Sequence, residues 1–297
     1  MKDIDFGQWS DGIGYEIAFW NNVYRWSHTF KGMMDWSKYG GIINLEQFDA
    51  NAFLANIPNP LVLDVGSGMS YAPGNYLERH GKLEKLDIHY IDPLAFQFNN
   101  ILHTYHKQLP EIEFGMIEYL SAFYPDHSVD MVIVQNALDH SANPIKGIYE
   151  ALDTLRIQGI LYLNHHPNEA VTEHYKGFHQ YNICIEDDNL IIWNQSERWD
   201  INKILAPIAK VEVCHGDGGH VIAVIRKTAE VPANLLCDKN DKRTLCQQIM
   251  SQIFWQNSIS SSIRHRLNYW KYNTIQFFAQ ALPYEQKMKV KKMIKQA

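Results

Sequence analysis

Four cysteines occur in 297 residues, at Cys184, Cys214, Cys237 and Cys246, and no two form a C-x-x-C pair. That excludes a compact zinc cluster and a disulfide framework, and reduced thiols are expected. No run approaches the ~18–20 consecutive apolar residues that a membrane-spanning helix needs. Met1-Lys2-Asp3-Ile4-Asp5 has neither the basic stretch nor the apolar core of a secretory signal, so a cytoplasmic location is expected. No internal repeat is visible, and the lack of long low-complexity segments argues against wholesale disorder. An excess of positive charge is also missing. The formal net charge is −6, which argues against broad nucleic-acid binding.

Hydrophobic residues make up 46% of the chain, enough for a sizeable core, and the length suits one large α/β domain with additions. Charge is unevenly spread. Residues 1–229 hold 16 Lys/Arg against 29 Asp/Glu, and residues 230–297 hold 11 against 4. A basic end of this kind suits either an acidic partner surface or a basic helix lying on an acidic domain. Three segments are expected: an aromatic-rich helical lid over 1–56, a ligand-binding domain over 57–229, and a basic helical extension over 230–297. The lid carries Trp9, Tyr15, Phe19, Trp20, Tyr24, Trp26, Phe30 and Trp36, with helical spacing around Glu16–Tyr24. Pro58 and Pro60 break the chain before the first strong strand.

The middle segment alternates short apolar runs with longer amphipathic stretches. Strands are predicted at Leu61–Val65, Asp87–Ile91, Ile112–Ile117, Val129–Gln135 and Gly159–Asn164. The clearest helix runs from Pro144 to Leu155, where Ile145, Ile148, Tyr149 and Leu152 form one stripe and Pro144 suits the first turn. Such alternation implies a parallel sheet covered on both faces. Two further runs, Val211–Cys214 and Val221–Ile225, flank Gly216-Asp217-Gly218-Gly219 and predict a hairpin.

Leu61-Val62-Leu63-Asp64-Val65-Gly66-Ser67-Gly68 is an apolar strand that runs into a glycine turn. A nucleoside cofactor must approach the backbone closely there, and side chains would block it. The dinucleotide pattern G-x-G-x-x-G fails, because Tyr71 holds its third glycine position. A second strand ends in Ile91-Asp92-Pro93, with Asp92 28 residues beyond Asp64. An acid closing that strand can accept hydrogen bonds from both ribose hydroxyls.

In their order, Leu63-Asp64-Val65-Gly66-Ser67-Gly68, Ile91-Asp92-Pro93-Leu94-Ala95, Asn136-Ala137-Leu138-Asp139-His140-Ser141 and Gly159-Ile160-Leu161 resemble class I S-adenosylmethionine-dependent methyltransferases. The resemblance covers about residues 58–227. It is similar in particular to a bacterial small-molecule branch with segments like NALDHS, H-x-x-N-E and G-x-H-Q-[WY]-N, which here read as Asn136–Ser141, His165–Glu169 and Gly177–Asn182. It implies a Rossmann-like doubly wound α/β fold, with five parallel strands and an antiparallel hairpin. It also implies S-adenosylmethionine as cofactor. The cofactor is expected on Asp64, Gly66, Ser67, Gly68, Asp92, Pro93, Ile117, Glu118 and Asn136. Several proteins of the branch look like parts of polysaccharide-modifying systems, which suggests a glycan acceptor. Two departures stand out. Met116-Ile117 replaces the acid that often meets the adenine amino group, so a backbone group of Ile117 or Glu118 is expected to serve. Arg156-Ile157-Gln158-Gly159 replaces the usual K-P-G-G turn.

Ligands of an open α/β sheet bind outside the carboxyl ends of its strands. Asp139 and His140 follow the fourth strand, and His165, Asn168 and Glu169 follow the fifth. An alcohol acceptor must lose its proton, and an imidazole of ordinary pKa ~6.5 suits that task. His179, His140 and His165 are the candidate bases; each could instead be a capping or strand-end histidine. Asp139, Asn168, Glu169, Gln180, Tyr15 and Trp20 are candidate acceptor-binding residues, although most lid aromatics are expected in the core. Several of these are metal-ligand types, but they match no compact motif such as H-E-x-x-H. No metal is therefore expected, and chelators should leave activity largely intact. The basic, aromatic tail around Ile263–Tyr272 suits a packing or dimer-forming helix, or peripheral contact with anionic lipid at the inner face of a membrane. An enzyme that O-methylates a sugar or other small hydroxylated acceptor is expected. The alternatives are an N- or carboxyl methyltransferase and a catalytically degenerate fold used as a binding subunit.

Overall fold

Neighbouring residues of the central strands are buried on opposite faces, which is why these strands are apolar throughout rather than alternating. In the computed structural model, Leu63, Val65, Val132, Val134, Leu161 and Leu163 enter one core, and Val62, Met131, Ile133, Ile160 and Tyr162 enter another. The structure describes residues 9, 12–35, 47–80, 86–236, 238–256, 263–283, 286 and 289. Trp36, Cys237, Lys287, Lys291, Lys292 and Lys295 lie outside the described residues.

The main sheet contains β1 (Leu61–Val65), β2 (Asp87–Asp92), β3 (Glu113–Phe114), β4 (Val129–Gln135), β5 (Leu155–His165), β9 (Ala209–His215) and β10 (Val221–Lys227), in the order β3-β2-β1-β4-β5-β10-β9. The first five are parallel, and β10 runs antiparallel between β5 and β9. This is the Rossmann-like α/β sheet expected from the sequence, closed by the expected hairpin. β3 is shorter than the predicted 112–117. The chain turns at Met116 into a 3-10 segment, Ile117–Ala122, where the Glu118 carboxylate accepts from the N–H groups of Ala142 (2.7 Å) and Asn143 (3.2 Å).

Helices cover both faces. One core is capped by α3 (Ala50–Ala55) and α4 (Ala72–His80) through Leu54 and Leu77. The other is capped by α6 (Pro144–Thr154) through Ile148 and Leu152. The sequence placed this last helix to within one residue, because Pro144 occupies its first turn and Asn143 caps it by accepting from the Lys146 N–H (3.0 Å). In the segment expected as a lid lie α1 (Ile13–Arg25) and α2 (Ser27–Met33). Trp20 and Tyr24 of α1 pack with Phe98 of α5 (Ala95–Thr104) in a third cluster; Trp20, a candidate acceptor-binding residue, is thus mostly buried in this core with an edge on the cavity described below. Tyr15 is exposed.

A second, antiparallel sheet was not legible from the sequence. It consists of β6 (Asn182–Glu186), β7 (Asn189–Trp193) and β8 (Arg198–Asp200), inserted between α7 (Glu169–Thr172) and α8 (Ile201–Leu205). Its first hairpin turns on Asp187 and Asp188, both left-handed at φ 48° and 59°. Such a turn needs positive φ at both central residues and is normally signalled by Asn-Gly or Asp-Gly. Asp-Asp satisfies the geometry without giving the signal.

The tail forms α9 (Lys239–Gln256) and α10 (Ile263–Ala281). α10 lies on α1, where Asn22 donates to Asn273 Oδ1 at 2.9 Å. α9 packs on the Ile117–Ala122 segment and is joined to α6 by a buried Lys242–Glu150 ion pair at 2.8 Å. A basic helix on an acidic domain is thus one use of the charge asymmetry. Ile263, Leu267, Trp270 and Phe278 of α10 are exposed. Among the described residues, no helix is long and apolar enough to cross a membrane.

Candidate functional site

In the main sheet β1 lies between β2 and β4, so the chain winds one way through β2 and β3 and the other way through β4 and β5. The carboxyl ends of β1 and β4 therefore flank the crevice where ligands of such sheets bind. A cavity of about 550 Å³ opens there. Its floor is the turn after β1 and the end of β2, and its roof includes Trp9, Tyr15 and Trp20 of the lid.

The turn is held by geometry that only glycine meets. Gly66 and Gly68 have φ of +70° and +53°. A Cβ on Gly66 would stand 2.4 Å from Ala137, and one on Gly68 would stand 2.7 Å from the Trp20 ring. Beneath the turn, Asp92 accepts from the Gly68 N–H (3.1 Å) through Oδ2 and from the Leu94 N–H (2.8 Å) through Oδ1. A carboxylate has about four lone-pair sites, so roughly two remain for a ligand. Burial pushes Asp92 up to about 7 against the pull of those two N–H groups. Asp64, expected on the cofactor, does not line the cavity. It lies behind the turn, and burial followed by the Asp92 charge pushes it up to about 8.

Of the other residues expected on a cofactor, Ser67, Pro93, Ile117, Glu118 and Asn136 all line the cavity. The Glu118 side chain anchors the start of α6, so its carboxylate is engaged with the N–H groups of Ala142 and Asn143. Asn136 takes φ of +49°, and its Oδ1 accepts from the His166 N–H (3.1 Å), tying the end of β4 to the end of β5.

At the other end of the cavity the loops after β4, β5 and α7 meet. Asp139 Oδ2 is 2.9 Å from His179 Nδ1 and 3.5 Å from His140 Nε2, and the two imidazoles approach to 3.2 Å. His140, His179, Glu169, Tyr15 and Trp20 line the cavity, and Asp139 sits directly behind the two histidines. Burial raises the Asp139 carboxyl, but His140, His179 and His165 outweigh it and bring it down to about 2. Burial lowers His179, and the hydrogen bond and charge of Asp139 reverse that and raise it. His165 is shut away behind Asp139, and burial brings it down to about 4. Burial, then the Asp139 charge, raises Glu169.

Two expected acceptor ligands brace loops instead. Asn168 Oδ1 accepts from Trp193 Nε1 (3.1 Å), and Gln180 Nε2 donates to the carbonyls of Gly177 (2.8 Å) and Tyr175 (3.0 Å). Neither lines the cavity. Trp9 and Phe178, which sequence reasoning did not place in the site, do. Trp9 donates to the His140 carbonyl (3.0 Å) and packs on Phe178 at 4.9 Å.

No family model matches the sequence, and no curated protein matches it. Solved structures resemble it in outline. A T. thermophilus 16S rRNA N2 G1207 methyltransferase in complex with AdoMet and guanosine is 13% identical, over 62% of this chain and 40% of that one, with a TM-score of 0.35. The CurJ carbon methyltransferase is 14% identical, over 59% and 51%, with a TM-score of 0.42. A SAM-dependent methyltransferase from Aquifex aeolicus is 18% identical, over 67% and 96%, with a TM-score of 0.39. The match thus spans about half or less of the first two chains.

Proposed function

We propose that the protein is an S-adenosylmethionine-dependent methyltransferase whose acceptor is a hydroxyl of a sugar or another small molecule. The observation that carries this reading is Asp92, a buried acid at the end of β2 with lone pairs left over, set beneath a turn too tight for any side chain. Five parallel strands closed by an antiparallel hairpin are the usual outline of class I methyltransferases. The cavity, at about 550 Å³, is of the size that holds a small ligand.

The residues fit the cofactor. Asp92 would accept from its ribose hydroxyls, and backbone groups of Ile117 and Glu118, which line the cavity, would meet its base. When bound, S-adenosylmethionine supplies a methyl group on a sulfonium, which is already an activated leaving group. The aromatic roof keeps water out and aligns the acceptor, a source of much of the rate in such displacements. The Asp139 cluster takes up the proton of the acceptor hydroxyl. His179 is the leading acceptor of that proton, because Asp139 fixes its ring and favours its charged form.

Asp92→Ala tests the reading. Hydrogen bonds to a charged group contribute about 1.5–3 kcal/mol, so the affinity for S-adenosylmethionine should fall about tenfold or more by calorimetry. Unchanged affinity in the folded variant would reject the assignment.

The same acid predicts a pH dependence. Asp92 is ionised above about 7 in the free protein; Glu16 is the negative charge that faces it, and Asp64, pushed up to about 8, is mostly protonated there. The ionised form is the better acceptor for hydroxyls and the better partner for a sulfonium. Affinity should therefore fall as pH drops through 7, by about tenfold between pH 8 and pH 6. An Asp92→Asn protein should lose that slope; retention of the slope would assign it to another group.

A further inference from the structure

Three donor atoms converge beside the cavity at separations that hydrogen bonding accounts for poorly. His179 Nδ1 lies 2.9 Å from Asp139 Oδ2 and 3.2 Å from His140 Nε2, and His140 Nε2 lies 3.5 Å from Asp139 Oδ2. A single N–H at Nδ1 cannot point at both neighbours. The three edges match another arrangement. Ligands about 2.0–2.2 Å from one ion lie about 2.8–3.1 Å apart on an octahedral face and about 3.3–3.6 Å apart in a tetrahedron. Two imidazoles and one carboxylate on a common face are also a known set for divalent transition metals.

His165 points the same way independently. It is 1% exposed, and among the described residues neither of its ring nitrogens has a hydrogen-bond partner. Its Nδ1 lies 4.0 Å from Asp139 Oδ1, which has no hydrogen-bond partner either. A buried polar group without a partner asks for an ordered water or an ion nearby. Behind a carboxylate whose other oxygen holds an ion, His165 would steady that ligand as outer-shell groups do. Glu169 Oε2, also without a partner, belongs to a side chain that lines the cavity.

We infer that Asp139 Oδ2, His140 Nε2 and His179 Nδ1 form a site for one divalent first-row transition-metal ion, with an open position toward the cavity. Sequence spacing argued for no metal, since the ligands lie on separate loops; the fold brings those loops together. Imidazole donors favour zinc, copper, nickel or iron(II) over magnesium, calcium or manganese. Ion binding stands apart from the methyl-transfer reading, but its use in catalysis rests on that reading. There the ion would hold the acceptor's oxygen and lower its pKa, so that the proton leaves to water. His179 would then be a ligand rather than the proton acceptor.

The test uses the full chain, stripped with EDTA, returned to chelator-free buffer and titrated with zinc chloride by calorimetry. Cobalt(II) absorbance serves as a second readout. One ion per chain is expected. Asp139→Asn and His179→Gln should each weaken binding by more than about a hundredfold, beyond the usual effect of losing an outer-shell partner. Glu111→Ala, which breaks the exposed His103–Glu111 pair, should leave binding unchanged. His140→Gln, at a partly exposed residue, carries the comparison if the other variants do not fold. No uptake by the wild-type chain, or equal uptake by the ligand variants, would overturn the inference. S-adenosylmethionine is titrated into the same samples. Its failure to bind beside an intact zinc site sinks only the methyl-transfer reading, and the reverse result sinks only the ion site.

Discussion

His179→Ala is expected to lower turnover by about 10²–10⁴-fold, the usual contribution of a positioned proton acceptor, or about 3–5 kcal/mol of activation free energy. S-adenosylmethionine affinity should change little, because His179 sits with Asp139 beyond β4 and β5 while Asp92 closes β2 at the other end of the cavity. The loss should fall on kcat rather than on cofactor binding, since the imidazole acts on the acceptor's proton. Asp139→Asn should follow it. The amide keeps the shape but removes the negative charge that favours the imidazolium form of His179. If His179 is instead an ion ligand, the loss is as large but accompanies loss of the ion. Zinc content of the variant therefore separates the two roles. Near-normal turnover in both variants would mean that proton removal happens elsewhere or is not needed. Product analysis with a sugar acceptor would then decide between oxygen and other acceptor atoms.

The end of the cavity proposed for the cofactor was visible in the sequence as local features. A glycine turn after an apolar strand and an acid at the end of the next strand are each short runs, and the sheet order then sets them side by side. The acceptor end was legible only as a set of residue types. Asp139 and His179 are 40 positions apart, and what joins them is the loop that Gln180 closes with its side chain on Gly177 and Tyr175. Spacing cannot reveal such convergence. Nor can it separate Gln180 and Asn168, which brace loops, from His179 and Glu169, which face the cavity, since all four are polar residues within thirteen positions of chain. Trp9 carried no signal beyond its type, and its place over His140 depends on how the lid returns to the sheet. The second sheet was missed because Asp187-Asp188 makes a tight turn without glycine.

Lys242→Ala is expected to destabilise the protein by about 3–5 kcal/mol, the usual cost of leaving one partner of a buried ion pair alone. Lys242 is 1% exposed and Glu150 is fully buried, so the carboxylate depends on the ammonium rather than on bulk solvent for its compensation. Lys242 Nζ meets Glu150 Oε1 at 2.8 Å and Ser121 Oγ at 2.6 Å, and Ser121 donates to Glu150 Oε2 at 2.9 Å. Burial pushes the Glu150 carboxyl up, and Lys242 is the main force drawing it back. Without Lys242 the cheapest response is for Glu150 to take up a proton. The stability gap between variant and wild type should therefore narrow as pH falls and widen as it rises. Lys242→Met combined with Glu150→Gln should lose less than Lys242→Ala alone, because no bare charge then remains. Urea unfolding across pH measures all three proteins. A Lys242→Ala protein within about 1 kcal/mol of wild type at neutral pH would mean that water or another cation reaches Glu150, and that α9 is not fastened to α6 by this pair.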